Sequence, residues 1–200
     1  MRAATLAVLG LAFAGHPCAA VELDFGIAKT LEGLSLPVPV AARPVICHGF
    51  GCAYQTPIAL GPFDRAQIRK FFAGNEDAID ERRALAKTMA WYDRRVAGEA
   101  GTFKAKARAG IGSAGDPSQF DCLDRTTNTI GLMLVISEMG LLRYHEIDAP
   151  ESRGGIGSLP HTTAVMRERG NGQKWAIDAW THNNGEYPDI LKLEVWRTRS

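Results

Sequence analysis

The sequence predicts an α+β domain in which helices pack on an antiparallel sheet. Helical periodicity dominates from Pro62 to Gly140, and the pattern then changes to short β-branched and aromatic runs joined by turn residues. Helices followed by strands, rather than a regular alternation, favour an antiparallel sheet over a parallel one. A third observation concerns "DPSQFDCLDRTTNTIGLMLVISEMG". There Cys122 stands at the junction between a polar loop and an apolar, helix-like run.

The chain opens with "MRAATLAVLGLAFAGHPCAA". One early charge (Arg2), an apolar core over residues 5–15 and a small-residue end at Cys18-Ala19-Ala20 make the three-part layout of a secretory signal peptide. The apolar run is too short to span a bilayer, and Pro17 before Cys18 fits poorly with lipoprotein processing. Residues 1–20 are therefore expected to be a signal peptide, and residues 21–200 a single mature domain in the periplasm or outside the cell. One basic and no acidic residue go with the leader, so the formal charge of +1 becomes zero. That balance points away from nucleic acid and anionic membranes. No later segment is apolar enough for a membrane span, and the sequence sets no oligomeric state.

Residues 23–60, punctuated by Pro and Gly, read as strand and loop. "GPFDRAQIRKFFAG" reads as a short helix entered through Pro62 and stopped by Gly74. "NEDAIDERRALAKTMAWYDRRVAGEAG" is the strongest helix, with acids early, bases later and Ile79, Leu85, Met89 and Trp91 near helical spacing. A Gly- and Lys-rich loop over residues 102–118 leads to the Cys122 helix, capped by Asp121 and ended by Gly140. "RYHEIDAPE", with His145 and Asp148, reads as a solvated connection. "PHTTAVMRE" and "KWAIDAWTH" read as a hairpin around Asn171-Gly172, and "ILKLEVWRT" as the last strand.

Cysteine usage sharpens the reading. Three cysteines remain after the leader: Cys47, Cys52 and Cys122. Cys47 and Cys52 flank the glycine-bearing "HGFG", and a four-residue hairpin loop would set them opposite each other for a disulfide, as an exported protein permits. A metal site at Cys47, His48 and Cys52 lacks a second ligand pair. Cys122 is left unpaired, and an odd thiol in an exported chain is either a buried core residue or one kept for chemistry.

The order of cysteine at a helix start ("FDCLD"), histidine on one strand ("PHTTAV") and aspartate on the next ("KWAIDAW") resembles the transglutaminase-like branch of papain-fold thiol enzymes from residue 113 onward. Thr162-Thr163 and Ala179-Trp180 stand where members often carry an aromatic and a Thr or Ser. The resemblance implies a papain-like fold with Cys122, His161 and Asp178 as a catalytic triad, acting on a peptide, protein or cell-wall peptide without a cofactor.

The residues support the same chemistry independently. A helix N-terminus favours a thiolate. A histidine can take the thiol proton and deliver it to a leaving group, and a carboxylate orients that histidine. The Cys122 backbone N–H, with Gln119 as a second donor, would face the oxyanion. The alternative is a non-catalytic exported module that binds a peptide or cell-wall component.

Strand spacing constrains the triad. If Asn171-Gly172 alone formed the turn, Asp178 would pair with residue 165, leaving His161 about 13 Å away at ~3.3 Å per residue. The triad therefore requires a longer loop, near residues 168–171, or a bulge. His182 and the tryptophans 175 and 180 are secondary candidates, the former near the substrate loop, the latter as core or cleft wall. N-terminal sequencing of the exported protein should find a start near Val21; a lipid-modified Cys18 or a retained Met1 would refute the leader.

Overall fold

A computed structural model describes residues 22–154 and 160–199, so the expected signal peptide lies outside the described residues. The order is α1 (Phe25–Gly33), β1 (Val45–His48), β2 (Tyr54–Pro57), α2 (Pro62–Phe72), α3 (Ala78–Ala100), a single 3₁₀ turn, α4 (Cys122–Glu138), β3 (His145–Arg153), β4 (His161–Glu168), β5 (Lys174–Asp178), β6 (Asp189–Lys192) and α5 (Leu193–Thr198). The architecture is α+β. Strands β3-β4-β5-β6 form an antiparallel meander, and β1-β2 is a separate hairpin. No helix among the described residues is long and apolar enough to cross a membrane.

The sheet is covered on both faces, which explains the unbroken burial of Thr162 to Met166 in β4. Ala164, Met166 and Ile177 point to α4 and meet Ile130, Met133 and Ile136. The alternate residues Val165 and Ala176, which are register partners, point the other way onto Leu193 and Trp196 of α5. Helix α4 is buried nearly all round, so its apolar residues carry little amphipathic pattern.

Three segments differ from the sequence reading. Residues 25–33 form a helix because Asp24 caps the N-terminus and Ile27 and Leu31 share a buried face. "LEVWRT" is helical after four strand residues, with Leu193 and Trp196 three apart and both buried. The "RYHEIDAPE" stretch enters the sheet as β3 rather than lying in solvent.

The β3 difference has a physical cause far away in sequence. His145 is fully buried, and its Nδ1 lies 2.9 Å from Glu81 of α3. Glu81 also accepts the backbone N–H groups of Arg143, Tyr144 and His145 at 2.6 to 3.1 Å. Burial pushes the Glu81 carboxyl up, but His145 and these N–H donors outweigh it and hold it below its usual range. The Glu81 carboxylate therefore holds this strand start inside the molecule.

The Cys47–Cys52 disulfide is present. The hairpin is wider than a four-residue loop between the cysteines, however. His48 pairs with Tyr54 and Cys47 with Gln55, so Cys52 sits inside the loop and the bridge ties β1 to the loop end.

Because folding depresses the Glu81 carboxyl, its contribution is complete above the unfolded carboxyl pKa and fades as pH falls through the folded one. Glu81→Gln should lower unfolding stability by roughly 2–4 kcal/mol at neutral pH. The gap to wild type should shrink below about pH 4. Urea unfolding of both proteins at several pH values measures this; a gap that does not vary with pH would show that the Glu81 charge is not what holds β3.

Candidate active site

Cys122 is the first residue of α4, and two carboxylates build that helix start. Asp121 is the N-cap and accepts Asp124 N–H at 2.7 Å, while Asp124 reaches back to accept Asp121 N–H at 3.2 Å. The β1–β2 loop grips the same two groups. Phe50 and Cys52 donate their N–H groups to Asp124 at 2.8 and 2.6 Å, and Gly51 donates to Asp121 at 2.8 Å. These successive amides converge because residues 49 to 52 all take positive φ, 82°, 75°, 61° and 59°. Such a run turns N–H groups to one side as an anion-binding nest. Burial and the neighbouring Asp121 charge push Asp124 up to about 7, against the pull of the Cys52, Phe50 and Asp121 N–H groups.

His161 opens β4 and Asp178 closes β5. Glu168 donates to Gln173 O at 2.8 Å and Gly172 to Glu168 O at 2.8 Å, so the loop between the strands is residues 169–172. That is a four-residue loop, one position later than 168–171. Ala164 faces Ile177, and one further step in this register sets Asp178 opposite Thr163. His161 is therefore the diagonal neighbour, within reach of a long side chain. Its Nε2 lies 2.6 Å from Asp178 Oδ2.

Asp178 is nearly fully buried, yet it has further donors. Trp196 Nε1 donates to Oδ2 at 2.8 Å and the Trp180 N–H to Oδ1 at 3.2 Å. Burial pushes its carboxyl up, but His161 first and then Trp196 and Trp180 outweigh it and hold it below the usual range. An ionised Asp178 can only accept, so His161 Nε2 carries a proton, and in the neutral ring Nδ1 presents the lone pair. That Nδ1 is buried and has no hydrogen-bond partner among the described residues. Trp180 and Trp196 flank the imidazole with ring centroids at 4.8 and 5.5 Å.

Cys122 and His161 line one cleft of about 670 Å³, together with Phe50, Leu123, Pro160 and Trp180. Cys122 Sγ lies 4.0 Å from the carbonyl of Pro160, the residue preceding His161. Burial pushes the Cys122 thiol up, the Thr162 and Cys122 backbone N–H groups pull it down, and the Asp121 and Asp178 charges push it up again; its pKa ends above the ordinary thiol value. The helix start alone favours a thiolate, but here burial and two carboxylates outweigh it.

Gln119 does not line this cleft. Its carboxamide accepts Lys106 N–H at 3.0 Å and donates to Lys104 O and Ser118 Oγ, both at 3.1 Å. Both N–H bonds are thus engaged, one on the 104–106 loop and one on the neighbouring Ser118, with none left for an oxyanion. His182 lies between Glu186 and Asp189, at 3.9 and 3.6 Å. The two candidate tryptophans separate: Trp180 is cleft wall, whereas Trp175 packs under the Arg82 guanidinium at 3.7 Å. Sequence reasoning missed Trp196. Its signal was the three-residue spacing to Leu193, a helical period inside a segment read as strand.

Compared with family models, curated proteins and solved structures, the chain matches none.

The upward push on the Cys122 thiol has a direct readout. Iodoacetamide labelling of Cys122 should climb with pH through and beyond the range of a free thiol, near 8.5. A rate plateau reaching down to about pH 6 would instead reveal a preformed thiolate–imidazolium pair.

Proposed function

We propose that the protein is an exported thiol-dependent acyl-transfer enzyme that hydrolyses an amide or peptide bond through Cys122, His161 and Asp178, on a papain-like (transglutaminase-like) frame. The observation that carries this reading is the state of His161. One ring nitrogen is locked to an ionised, buried carboxylate, while the other is buried, without a partner among the described residues, and shares a cleft with the Cys122 thiol, which is unpaired among them. A structural histidine at that depth ordinarily has both nitrogens satisfied, as His48 does through Pro117 O and Thr56 Oγ1. The oxidised Cys47–Cys52 hairpin fits an oxidising compartment.

The steps balance as general-base catalysis. His161 Nδ1 takes the Cys122 proton as Sγ attacks the acyl carbon, so a C–S bond forms and the carbonyl π pair moves to oxygen. The Cys122 backbone N–H is the donor available to that oxyanion. Collapse breaks the C–N bond, and the His161 imidazolium protonates the departing amine, leaving a thioester. Water then attacks the thioester carbon, giving its proton to Nδ1, and the C–S bond breaks to return the acid and the thiol. Asp178 keeps the ring oriented and stabilises its cationic form. Because burial raises the thiol pKa, proton transfer accompanies attack rather than preceding it.

That same raised pKa favours a second reading, a non-catalytic module that binds peptide or cell-wall material in this cleft. An activated acyl ester separates the two. With p-nitrophenyl acetate the wild type should acquire an acetyl group on Cys122, seen by intact mass and peptide mapping, and Cys122→Ala should not. His161→Ala should slow acylation by at least about 100-fold. Asp178→Asn should bind normally but react more slowly. Cys122→Ala/His161→Ala should lose little more turnover than either single change, since the groups act as a unit. Full turnover in Cys122→Ala would end the enzyme reading.

A further inference from the structure

The cleft beside Cys122 carries an uneven charge. Arg108, Arg153, Arg197 and Arg199 line it, and Asp121 is the acidic residue lining it among the described residues. Asp121 is already occupied by the Gly51 and Asp124 N–H groups. Arg197 is paired with Glu151 at 2.9 Å and Arg199 with Asp189 at 3.1 Å. Arg108 and Arg153 have no carboxylate within ion-pair range among the described residues, while the other cleft arginines do. In a chain of net charge +1 this concentration is local.

Arg153 is also held in place. It is the register partner of His161, so the strand delivers it to the edge of the reacting groups. Its Nη1 donates to the Trp196 and Arg199 carbonyls, and its guanidinium stacks on the Trp196 ring at 4.5 Å. Carbonyls and a ring face orient a guanidinium without neutralising it. Burial lowers the Arg153 pKa; the Asp178 charge opposes that, and the Arg108 and Arg199 charges add to it. Arg108 stands beside Trp180, its N–H bonded to Trp180 O at 2.8 Å. It takes φ 53°, a left-handed conformation uncommon for a residue with a side chain. Two guanidiniums without an ion-pair partner among the described residues, lining the same cleft as the thiol, raise the local concentration of anions. Their planar forks suit a carboxylate.

We propose that the acyl substrate carries a carboxylate, held between Arg108 and Arg153 beside Cys122. The proposal rests on the thiol reading of this cleft and names the substrate class it selects: acidic peptides or amides with a carboxylate near the bond to be cut. Neutral acyl donors lack the group these arginines would hold.

The probes are iodoacetate and iodoacetamide, which share one reaction and differ in charge. In both, the Cys122 thiolate forms a C–S bond as the C–I bond breaks and iodide leaves with its electron pair. Taking the ratio of the two rates at Cys122, read by peptide mapping, cancels the thiolate fraction. The iodoacetate-to-iodoacetamide ratio should exceed that of N-acetylcysteine amide by about tenfold or more. It should fall in high salt and drop most of the way to the reference in Arg108→Gln and in Arg153→Gln. Arg108 is exposed, so its variant keeps the test valid if the Arg153 change disturbs folding. A wild-type ratio equal to the reference, or a ratio unaltered in both variants, overturns the proposal. An acetylated Cys122 with an ordinary ratio defeats this inference alone, whereas failure to acetylate Cys122 removes the thiol reading on which it stands.

Discussion

The Asp124 carboxylate is the constraint from which the rest of the site is built. It is fully buried, and its acceptors are taken by N–H groups of Phe50, Cys52 and Asp121. Each of those amides would otherwise be a partly or fully buried donor without a partner, at a cost of about 1–3 kcal/mol. One turn along α4, Asn128 repeats the grip by accepting Cys47 N–H at 2.7 Å and donating to Cys47 O at 2.9 Å. Residues 124 and 128 share a helix face, so the disulfide hairpin docks along that face at two points. Thr126 lies between them and bonds instead to Thr162 O at 3.1 Å, tying the same helix turn to the strand that begins with His161. Cys122 is thus fixed between hairpin and sheet by hydrogen bonds from its own helix, without needing contacts of its sulfur.

That arrangement sets the electrostatics of the Cys122 thiol. Asp121, which caps the helix start, and Asp178, which holds His161, both set negative charge near the thiol, and packing removes water from it. Both effects oppose a resting thiolate. On the proposed reading the part-buried His161 answers this, because its Nδ1 gives the proton a destination at the moment a bond forms. An inert resting thiol also suits an oxidising compartment, where thiolates are the species that exchange with disulfides.

How much of this could be read from the chain depends on how local each interaction is. Helices α2, α3 and α4 announce themselves through Pro62, Asp77, Asp121 and their C-terminal glycines, and the β4–β5 hairpin through Asn171-Gly172. The spacing of His161 and Asp178 correctly demanded a loop longer than two residues; the single-residue difference in its position is decided by Glu168 pairing with Gln173. β3 was not legible, because "HEIDAPE" looks solvated until Glu81, 64 residues away, is brought to His145. Gln119 looked free for the same reason: its partners Lys104 and Lys106 lie in a loop with no periodic pattern. Arg108 and Arg153 are 45 positions apart in unremarkable stretches, and only the fold brings them to one cleft.

The last element of the chain shows why the sheet needs both of its covering layers. Trp196 packs on Val165 and Ala176, lies tilted against the His161 ring, carries the Arg153 guanidinium on its face and donates to Asp178. One side chain therefore meets Asp178, His161 and a cleft cation. Asp178 takes His161 and Trp196 on the same oxygen, so the imidazole is held against motion from the strand side and the helix side together. With its acceptors engaged by the imidazole, the indole and the Trp180 amide, Asp178 makes no ion pair with Arg153, although its charge is near enough to favour that guanidinium's protonated form. The negative charge stays on the inner side of His161 and the positive charge on the cleft side. On the proposed reading, a substrate entering this cleft meets guanidiniums as well as the imidazole, an arrangement that depends on α5, since Trp196 carries Arg153 and Arg197 and Arg199 lie at the helix end.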